Sequence, residues 1–205
     1  MKKYLSKADK FRGIISPEYA AHLQNKYKKK KWKKKEKDKV IKTLPYRLAT
    51  KYNTFDFSKF PKKEIQSLFI FGETGTGKTI LSAHYYVEFV KQLYMKQSLF
   101  NKSYNFVVFS RMIEDLQRDF ATSTDIMKEY MECDLLVMDE FGVKKLTEYV
   151  YDRIYLIINE RYLNMLPTII NSNNSLDEIR DKYGDDRIVR RIIEDYELIE
   201  KIPYK

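Results

Sequence analysis

The chain has 205 residues, of which 43% are hydrophobic, and carries a formal net charge of +10. This hydrophobic content is enough for a globular core and argues against a disordered chain. The single cysteine, Cys133, excludes an internal disulfide and a cysteine-based metal cluster. The chain starts without an apolar signal segment, and no apolar run approaches the roughly 18 residues of a membrane span, so we expect a cytoplasmic protein.

The positive charge is concentrated at the start of the chain. Residues 1–50 contain 17 Lys or Arg against 4 Asp or Glu, whereas residues 51–205 contain 22 against 25. After a predicted helix at residues 16–27, the segment KKKKWKKKEKDK, from Lys28 to Lys39, carries nine lysines around Trp32. Such a lysine run is often only a solvated tail. The rest of the chain, residues 51–205, carries a net negative charge and needs no basic tail for solubility. We therefore favour an arm that binds the phosphates of DNA, preferably single-stranded, with Trp32 stacking on a base. An anionic membrane surface would fit the charge equally well.

Strand-like and helix-like segments alternate in the rest of the chain. Apolar runs predict strands at residues 67–71, 104–110, 134–140, 167–173 and 196–202, and longer segments predict helices at residues 78–95, 111–120, 147–166 and 185–195. Apolar strands that alternate with helices are typical of a parallel sheet covered on both faces. With a boundary near residue 50, we predict a basic, helical extension at residues 1–50 and a three-layer α/β/α domain at residues 51–205.

The segment GETGTGKT matches the phosphate-binding loop G-x-x-x-x-G-K-[ST] and lies between a predicted strand and a predicted helix. Backbone N–H groups curl around a phosphate where the chain has positive φ and no Cβ clash. Three of the chain's six glycines, Gly72, Gly75 and Gly77, are used here. Lys78 would bind the β- and γ-phosphates, and the Thr79 hydroxyl would bind Mg²⁺. The predicted ATP-binding residues are Gly72, Glu73, Thr74, Gly75, Thr76, Gly77, Lys78 and Thr79.

Two carboxylates end the predicted strand DLLVMDE. Asp139 would lie beside the loop and hold Mg²⁺ through water, and Glu140 suits a general base that polarises the attacking water. An acidic strand end that caps a neighbouring helix is the alternative, but the preceding phosphate loop favours a catalytic pair. The pair also favours ATP hydrolysis over phosphoryl transfer to a small molecule. A GTPase is disfavoured because the chain contains no Asn-Lys-x-Asp motif for guanine.

Two later elements offer side chains for the γ-phosphate. Asn173, with Asn171 as second choice, would hydrogen-bond the γ-phosphate or the attacking water from the end of the strand TIINSN, unless these asparagines only form a turn. Arg187, Arg190 and Arg191 lie on the helix DRIVRRIIED, and one of them would reach a neighbouring subunit's γ-phosphate as an arginine finger. Salt bridges on the helix surface are the alternative for these arginines.

Taken together, these motifs resemble the AAA+ ATPases of the bacterial and phage helicase-loader group, of the DnaC and DnaI type, and the related IstB transposition helpers. The segment from Asp139 to Asn173 is similar to that family's Asp-Asp/Glu-x-Gly segment, its Arg-Tyr helix and its Thr-Ser-Asn strand end, which is Asn-Ser-Asn here. The segment RIVRRI is similar to the family's R-h-x-x-R element, which places the finger on Arg191. The resemblance covers residues 54–202.

This resemblance implies an AAA+ P-loop NTPase without a helical lid after the sheet, in which ATP and Mg²⁺ lie between subunits of a ring or spiral. Lys78, Asp139, Glu140 and Asn173 would come from one subunit and Arg191 from the next. ATP hydrolysis would be coupled to assembly on DNA and to loading or remodelling of a replicative helicase. The alternatives are an IstB-like transposition helper that binds duplex DNA, a weakly hydrolysing adaptor or inhibitor of a replication protein, and a small-molecule kinase.

Overall fold

The computed structural model describes residues 34–58, 60–95, 103–122 and 125–200. The elements in chain order are α1 (Lys34–Ile41), α2 (Tyr46–Thr54), β1 (Leu68–Phe71), α3 (Lys78–Met95), β2 (Tyr104–Val108), α4 (Phe109–Thr122), α5 (Ile126–Glu132), β3 (Leu135–Phe141), α6 (Glu148–Leu163), β4 (Thr168–Ser172), α7 (Leu176–Tyr183), α8 (Arg187–Asp195) and β5 (Glu197–Glu200). The helix predicted at residues 16–27 and the first half of the lysine-rich arm, residues 28–33, lie outside the described residues.

The five strands form one parallel sheet in the order β2-β3-β4-β1-β5. The central strands β1, β3 and β4 are buried over most of their length, because helices cover both faces of the sheet. The predicted three-layer α/β/α architecture is confirmed. Since all strands run in the same direction, the carboxyl ends of β1, β3 and β4 meet at one edge of the sheet, where ligands of open α/β sheets bind.

The two faces of the sheet have separate cores. Helices α4 to α8 cover one face, and α3 covers the other. Helices α1 and α2 pack on α3, and the buried residues of these helices and of the turn between them are Ile41, Leu44, Leu48 and Tyr52. The predicted boundary near residue 50 falls inside α2, so the described part of the extension packs with the sheet domain. A separate function for residues 1–50 stays a prediction.

Most predicted elements begin and end within a few residues of the observed bounds. The strand predicted at residues 104–110 is shorter than expected, because α4 starts at Phe109 directly after β2. Helices α5 and α7 were not predicted, although α7 has a clear signal: Ser175 and Glu178 form a capping box, and Gly184 ends the helix with φ 65°. Among the described residues, no helix is long and apolar enough to cross a bilayer.

Candidate nucleotide-binding and hydrolysis site

The loop between β1 and α3 has the backbone of a phosphate cradle. Gly72, Gly75 and Gly77 have φ values of 147°, 82° and 91°, in a region that side-chain-bearing residues rarely adopt. A Cβ placed on Gly75 would meet no atom within 4 Å, so backbone conformation and not space explains the glycine there. Because α3 begins at Lys78, the partial positive charge of its N-terminus faces the loop.

The Lys78 side chain lies across this loop. Its ammonium donates to the carbonyl oxygens of Gly72 and Glu73, both at 2.8 Å, and the residue is buried. Burial lowers the pKa of Lys78, while the charges of Asp139 and Glu140 act to raise it. The two carbonyl oxygens hold the ammonium at the phosphate loop. An anion bound by the loop would be an additional partner for its charge.

Thr79 and Asp139 are joined directly. The Thr79 hydroxyl donates to Asp139 Oδ1 at 3.0 Å, and Asp139 is only 4% exposed. Burial raises the pKa of Asp139, although hydrogen bonds from Asn171 and Thr79 act to lower it. A hydroxyl and a carboxylate at the edge of a phosphate cradle are hard oxygen ligands of the kind that Mg²⁺ prefers. The residues present therefore fit a nucleotide phosphate together with Mg²⁺.

The two carboxylate residues at the end of β3 lie in a β-bulge. Asp139 and Glu140 both lie opposite one residue of β4, Asn171. Glu140 takes a left-handed conformation, φ 61°, which costs on the order of 1–2 kcal/mol for a residue with a side chain. Bulges of this kind re-aim side chains next to active sites. Here the bulge leaves Glu140 exposed to solvent while its neighbour Asp139 stays buried.

Asn171 holds this bulge in place. Its side-chain oxygen accepts a hydrogen bond from the Glu140 backbone N–H at 2.9 Å, and its amide donates to the Ser82 hydroxyl at 2.9 Å and to the Asp139 carboxylate. Asn173, in contrast, is exposed one residue beyond the end of β4. Because the Asn171 amide is already satisfied inside the subunit, the arrangement favours Asn173 for the predicted γ-phosphate contact, which stays a prediction.

The arginine-finger candidates lie on α8, which packs on the face of the sheet opposite to α3. The Arg191 guanidinium donates to Asn159 Oδ1 at 2.9 Å and to Glu194 at 2.7 Å, and it stacks on the Tyr162 ring with 4.6 Å to the centroid. The hydrogen bond with Glu194 is the main cause of the raised pKa of Arg191. The other two candidates on the helix form ion pairs with aspartates. All three arginines thus form salt bridges at the surface of the subunit. The arginine-finger role needs a second subunit and stays a prediction.

The arginine of the Arg-Tyr motif in α6 supports the scaffold of the site. Arg161 is fully buried, and its guanidinium donates to the carbonyl oxygens of Tyr130, Cys133 and Pro167 and to the Thr168 hydroxyl. Burial lowers the pKa of this guanidinium. The side chain ties α6 to the end of α5 and to the start of β4. Its structural role could not be inferred from the sequence, because every partner is distant or a backbone group.

We expect Arg161→Met to lower the free energy of unfolding by about 3 kcal/mol or more, because several buried carbonyl oxygens lose a charged donor. Urea denaturation followed by circular dichroism measures this loss. Arg180→Met is the matched control, since Arg180 is exposed on α7 and pairs with Asp177 on the helix surface, and it should change stability by less than about 0.5 kcal/mol. Equal effects of the two substitutions would contradict the scaffold role.

Because the cradle, the hydroxyl and the carboxylates converge on one edge of a β2-β3-β4-β1-β5 sheet, the protein is a P-loop NTPase of the AAA+ type. The sequence model of the IstB-like ATP binding proteins matches residues 25–198. The chain therefore belongs to the IstB-like ATP-binding family, and nucleotide binding is the property that this family shares.

Two relatives come from Bacillus subtilis (strain 168). The uncharacterized protein YqaM is 26% identical over 141 residues, which cover 66% of this chain and 42% of that protein. The phage-like element PBSX protein XkdC is 24% identical over 134 residues, which cover 63% of this chain and 48% of that protein. The chain thus spans less than half the length of these relatives.

Solved structures with the same fold include the DnaC helicase loader and DnaI. The DnaC helicase loader matches with a TM-score of 0.54 and 25% identity, covering 76% of this chain and 88% of that one. DnaI matches with a TM-score of 0.57 and 19% identity, covering 82% and 94%. Together with the family match, these structures confirm the predicted AAA+ fold and the resemblance to the DnaC and DnaI type.

Proposed function

We propose that this protein hydrolyses ATP, assembles on DNA and loads or remodels a replicative DNA helicase, in the cytoplasm of a bacterial or phage-infected cell. The observation that carries the proposal is the likeness to the DnaC helicase loader, which extends over most of both chains. Membership of the IstB-like family supports ATP as the nucleotide. The lysine-rich arm at residues 28–39 is the proposed DNA contact.

The chemistry follows from the side chains at the sheet edge. MgATP, when bound, supplies the phosphoryl group to be transferred to water. The loop amides and Lys78 bind the phosphates, and Thr79 and Asp139 provide the oxygens for Mg²⁺. The exposed Glu140 carboxylate accepts the proton of the attacking water, and Asn173 orients that water or the γ-phosphate. The bulge at the end of β3 supports this division of roles, because it separates a buried metal ligand from an exposed base.

We further propose a ring or spiral in which nucleotide lies between subunits and Arg191 acts on the neighbour's γ-phosphate. Helix α8 packs on one face of the sheet, whereas α3, which begins at the phosphate loop, packs on the other. This placement supports a contact supplied by a second copy of the chain. To make it, the guanidinium would exchange the exposed carboxylate of Glu194 for phosphate oxygens.

Mixing two inactive variants tests the shared site. We expect Arg191→Ala to lower ATP turnover at least about 100-fold. Mixing it with Lys78→Ala protein should restore part of the activity, because about one interface in four then combines an intact loop with an intact finger. Phosphate release measures the rescue. Arg190→Ala is the control on the same helix and should keep normal turnover; absence of rescue, or an equal loss in Arg190→Ala, would contradict a finger at Arg191.

Co-capture with a replicative helicase tests the proposed function. The immobilised protein should retain the cognate helicase in the presence of ATP, and Lys78→Ala protein should retain less because it cannot take the ATP-bound form. In parallel, single-stranded DNA should stimulate ATP turnover more than duplex DNA of equal length. A protein that retains no helicase and responds only to duplex DNA would instead be a transposition helper, which the IstB-like family match favours as second candidate. Turnover equal to that of Lys78→Ala would indicate an adaptor.

A further inference from the structure

We infer that the groove between α1 and α2 is a binding subsite for single-stranded nucleic acid, in which a base stacks on Tyr46 and phosphates contact Lys42 and Arg47. The inference rests on the proposed function in taking nucleic acid as the partner. It assigns a site on the folded domain, separate from residues 28–33 of the arm.

The groove has the size and the chemistry that suit a nucleobase. Helices α1 and α2 pack on α3, and a half-open groove of about 440 Å³ lies between them. Its floor is apolar, and its rim is polar or charged; the residues that line it are Asp38, Ile41, Lys42, Leu44, Tyr46, Ala49, Thr50 and Asn53. A nucleobase has apolar faces and polar edges. It would therefore bury its faces against the floor and use Asp38 and Asn53 as hydrogen-bond partners for its edges.

Tyr46 is placed as a stacking platform at the rim of this groove. It is the first residue of α2, directly after Pro45, and it is 87% exposed. Tyr52, on the inner face of the same helix, is only 4% exposed. A tyrosine ring left almost wholly in water contributes no core packing to the fold. At the edge of a groove and beside cations, such a ring provides a stacking surface that any base can use.

Among the described residues, no carboxylate pairs with the basic side chains on either side of Tyr46. Lys42 and Arg47 are both exposed, and neither forms an ion pair with a carboxylate of the described residues. In contrast, arginines of the described helices α4, α7 and α8 are paired with aspartates or glutamates. Unpaired cations beside an exposed aromatic ring are the combination with which proteins bind single-stranded nucleic acid.

An acidic protein segment is the competing occupant, and the groove fits it less well. Such a segment would satisfy the charges of Lys42 and Arg47. It would gain less than a base from the Tyr46 ring. The Asp38 carboxylate at the rim would repel each carboxylate of such a segment that enters the groove, whereas a nucleic acid inserts a neutral base and keeps its phosphates at the cations. A base, in contrast, offers exocyclic amino groups to a carboxylate.

Anisotropy of a labelled oligodeoxycytidylate of about 15 nucleotides, whose bases carry exocyclic amino groups, tests the subsite on the 205-residue chain. We expect Tyr46→Ala to weaken binding about tenfold with an unchanged salt dependence, and Tyr46→Phe to bind like the parent protein, because stacking needs only the ring. The double variant Lys42→Gln, Arg47→Gln should also weaken binding. It should in addition lower the slope of log affinity against log salt by about 1.4, since each single-strand phosphate contact contributes about 0.7.

Three controls separate the groove from other basic surfaces. The variant Arg118→Gln, Lys128→Gln removes the same charge from α4 and α5 and should reduce affinity far less than the groove double variant. Met165→Ala removes another side chain that is 86% exposed, at the turn between α6 and β4, and should bind normally. In a background with Lys28 to Lys31 replaced by glutamine, the ratio between parent and Tyr46→Ala affinities should persist.

The outcomes distinguish this subsite from the proposed function. If Tyr46→Ala binds the oligonucleotide like the parent while helicase capture and ATP turnover are normal, the subsite is rejected and the proposed function stands. If Tyr46→Ala loses helicase capture but keeps oligonucleotide binding, the groove binds a protein and the inference is overturned. If the parent protein binds no oligonucleotide at low salt, both the subsite and the proposed DNA contact are rejected.

Discussion

Lys78→Ala is expected to lower the affinity for ATP at least about 100-fold, because a buried ammonium that faces the phosphates contributes roughly 3 kcal/mol through charge-assisted hydrogen bonds. The structure places this ammonium across the loop, with the Gly72 and Glu73 carbonyl oxygens as its partners. Alanine removes the charge and leaves the loop glycines unchanged. Titration with a fluorescent ATP analogue measures the affinity, and turnover should fall to background.

Lys91→Ala is the matched control for this substitution. Lys91 lies on the same helix, α3, but its side chain is partly exposed and pairs with Glu88 on the helix surface. It should bind ATP like the parent protein. Circular dichroism verifies that both variants keep the fold. If Lys78→Ala retains parental ATP affinity, the phosphate-binding role of the loop is wrong.

Glu140→Gln is expected to bind ATP within a few-fold of the parent affinity but to hydrolyse it about 100- to 10,000-fold more slowly, the range for loss of a general base. Glutamine keeps the size of the side chain and the backbone N–H that donates to Asn171, so the bulge should remain. It removes the basic oxygen that accepts the proton of water. Phosphate release under saturating ATP measures the loss, and the same nucleotide titration measures the retained affinity.

Glu64→Gln serves as the control for Glu140→Gln. Glu64 is exposed in the segment before β1, so neutralising it should leave turnover unchanged. Unchanged turnover in Glu140→Gln would remove this residue from the role of base. Loss of ATP affinity in Glu140→Gln would show instead that the carboxylate acts in binding.

The spacing of short motifs identified residues that the structure brings together, since Thr79 and Asp139 are hydrogen-bonded beside the phosphate loop. The glycines of the loop, Lys78 and Thr79 follow one another in the chain, so their local geometry could be inferred directly. The continuous apolar runs also predicted the parallel sheet, because only strands buried on both faces tolerate them. From the sheet direction alone it follows that Asp139 reaches the edge that carries the phosphate loop.

Other features depend on contacts between distant residues, and these could not be predicted. Whether Asn171 or Asn173 is free to contact a bound nucleotide depends on the bulge in β3, which is a property of the pairing between two strands. The structural role of Arg161 depends on carbonyl groups of α5 and of the turn before β4. The charge pattern at residues 28–39 suggested an arm, whereas the packing of α1 and α2 on α3 turns their outer faces into a groove.

The sequence by itself therefore determined the fold class and the phosphate-loop motif, and the tertiary structure decided how the neighbouring groups are arranged. The physical reason is the range of the interactions. A phosphate cradle needs positive φ and a helix N-terminus within a few consecutive residues, which the glycines and Lys78 encode locally. Burial, strand register and the pairing of Arg191 with Asn159 arise only when segments far apart in the chain are packed together.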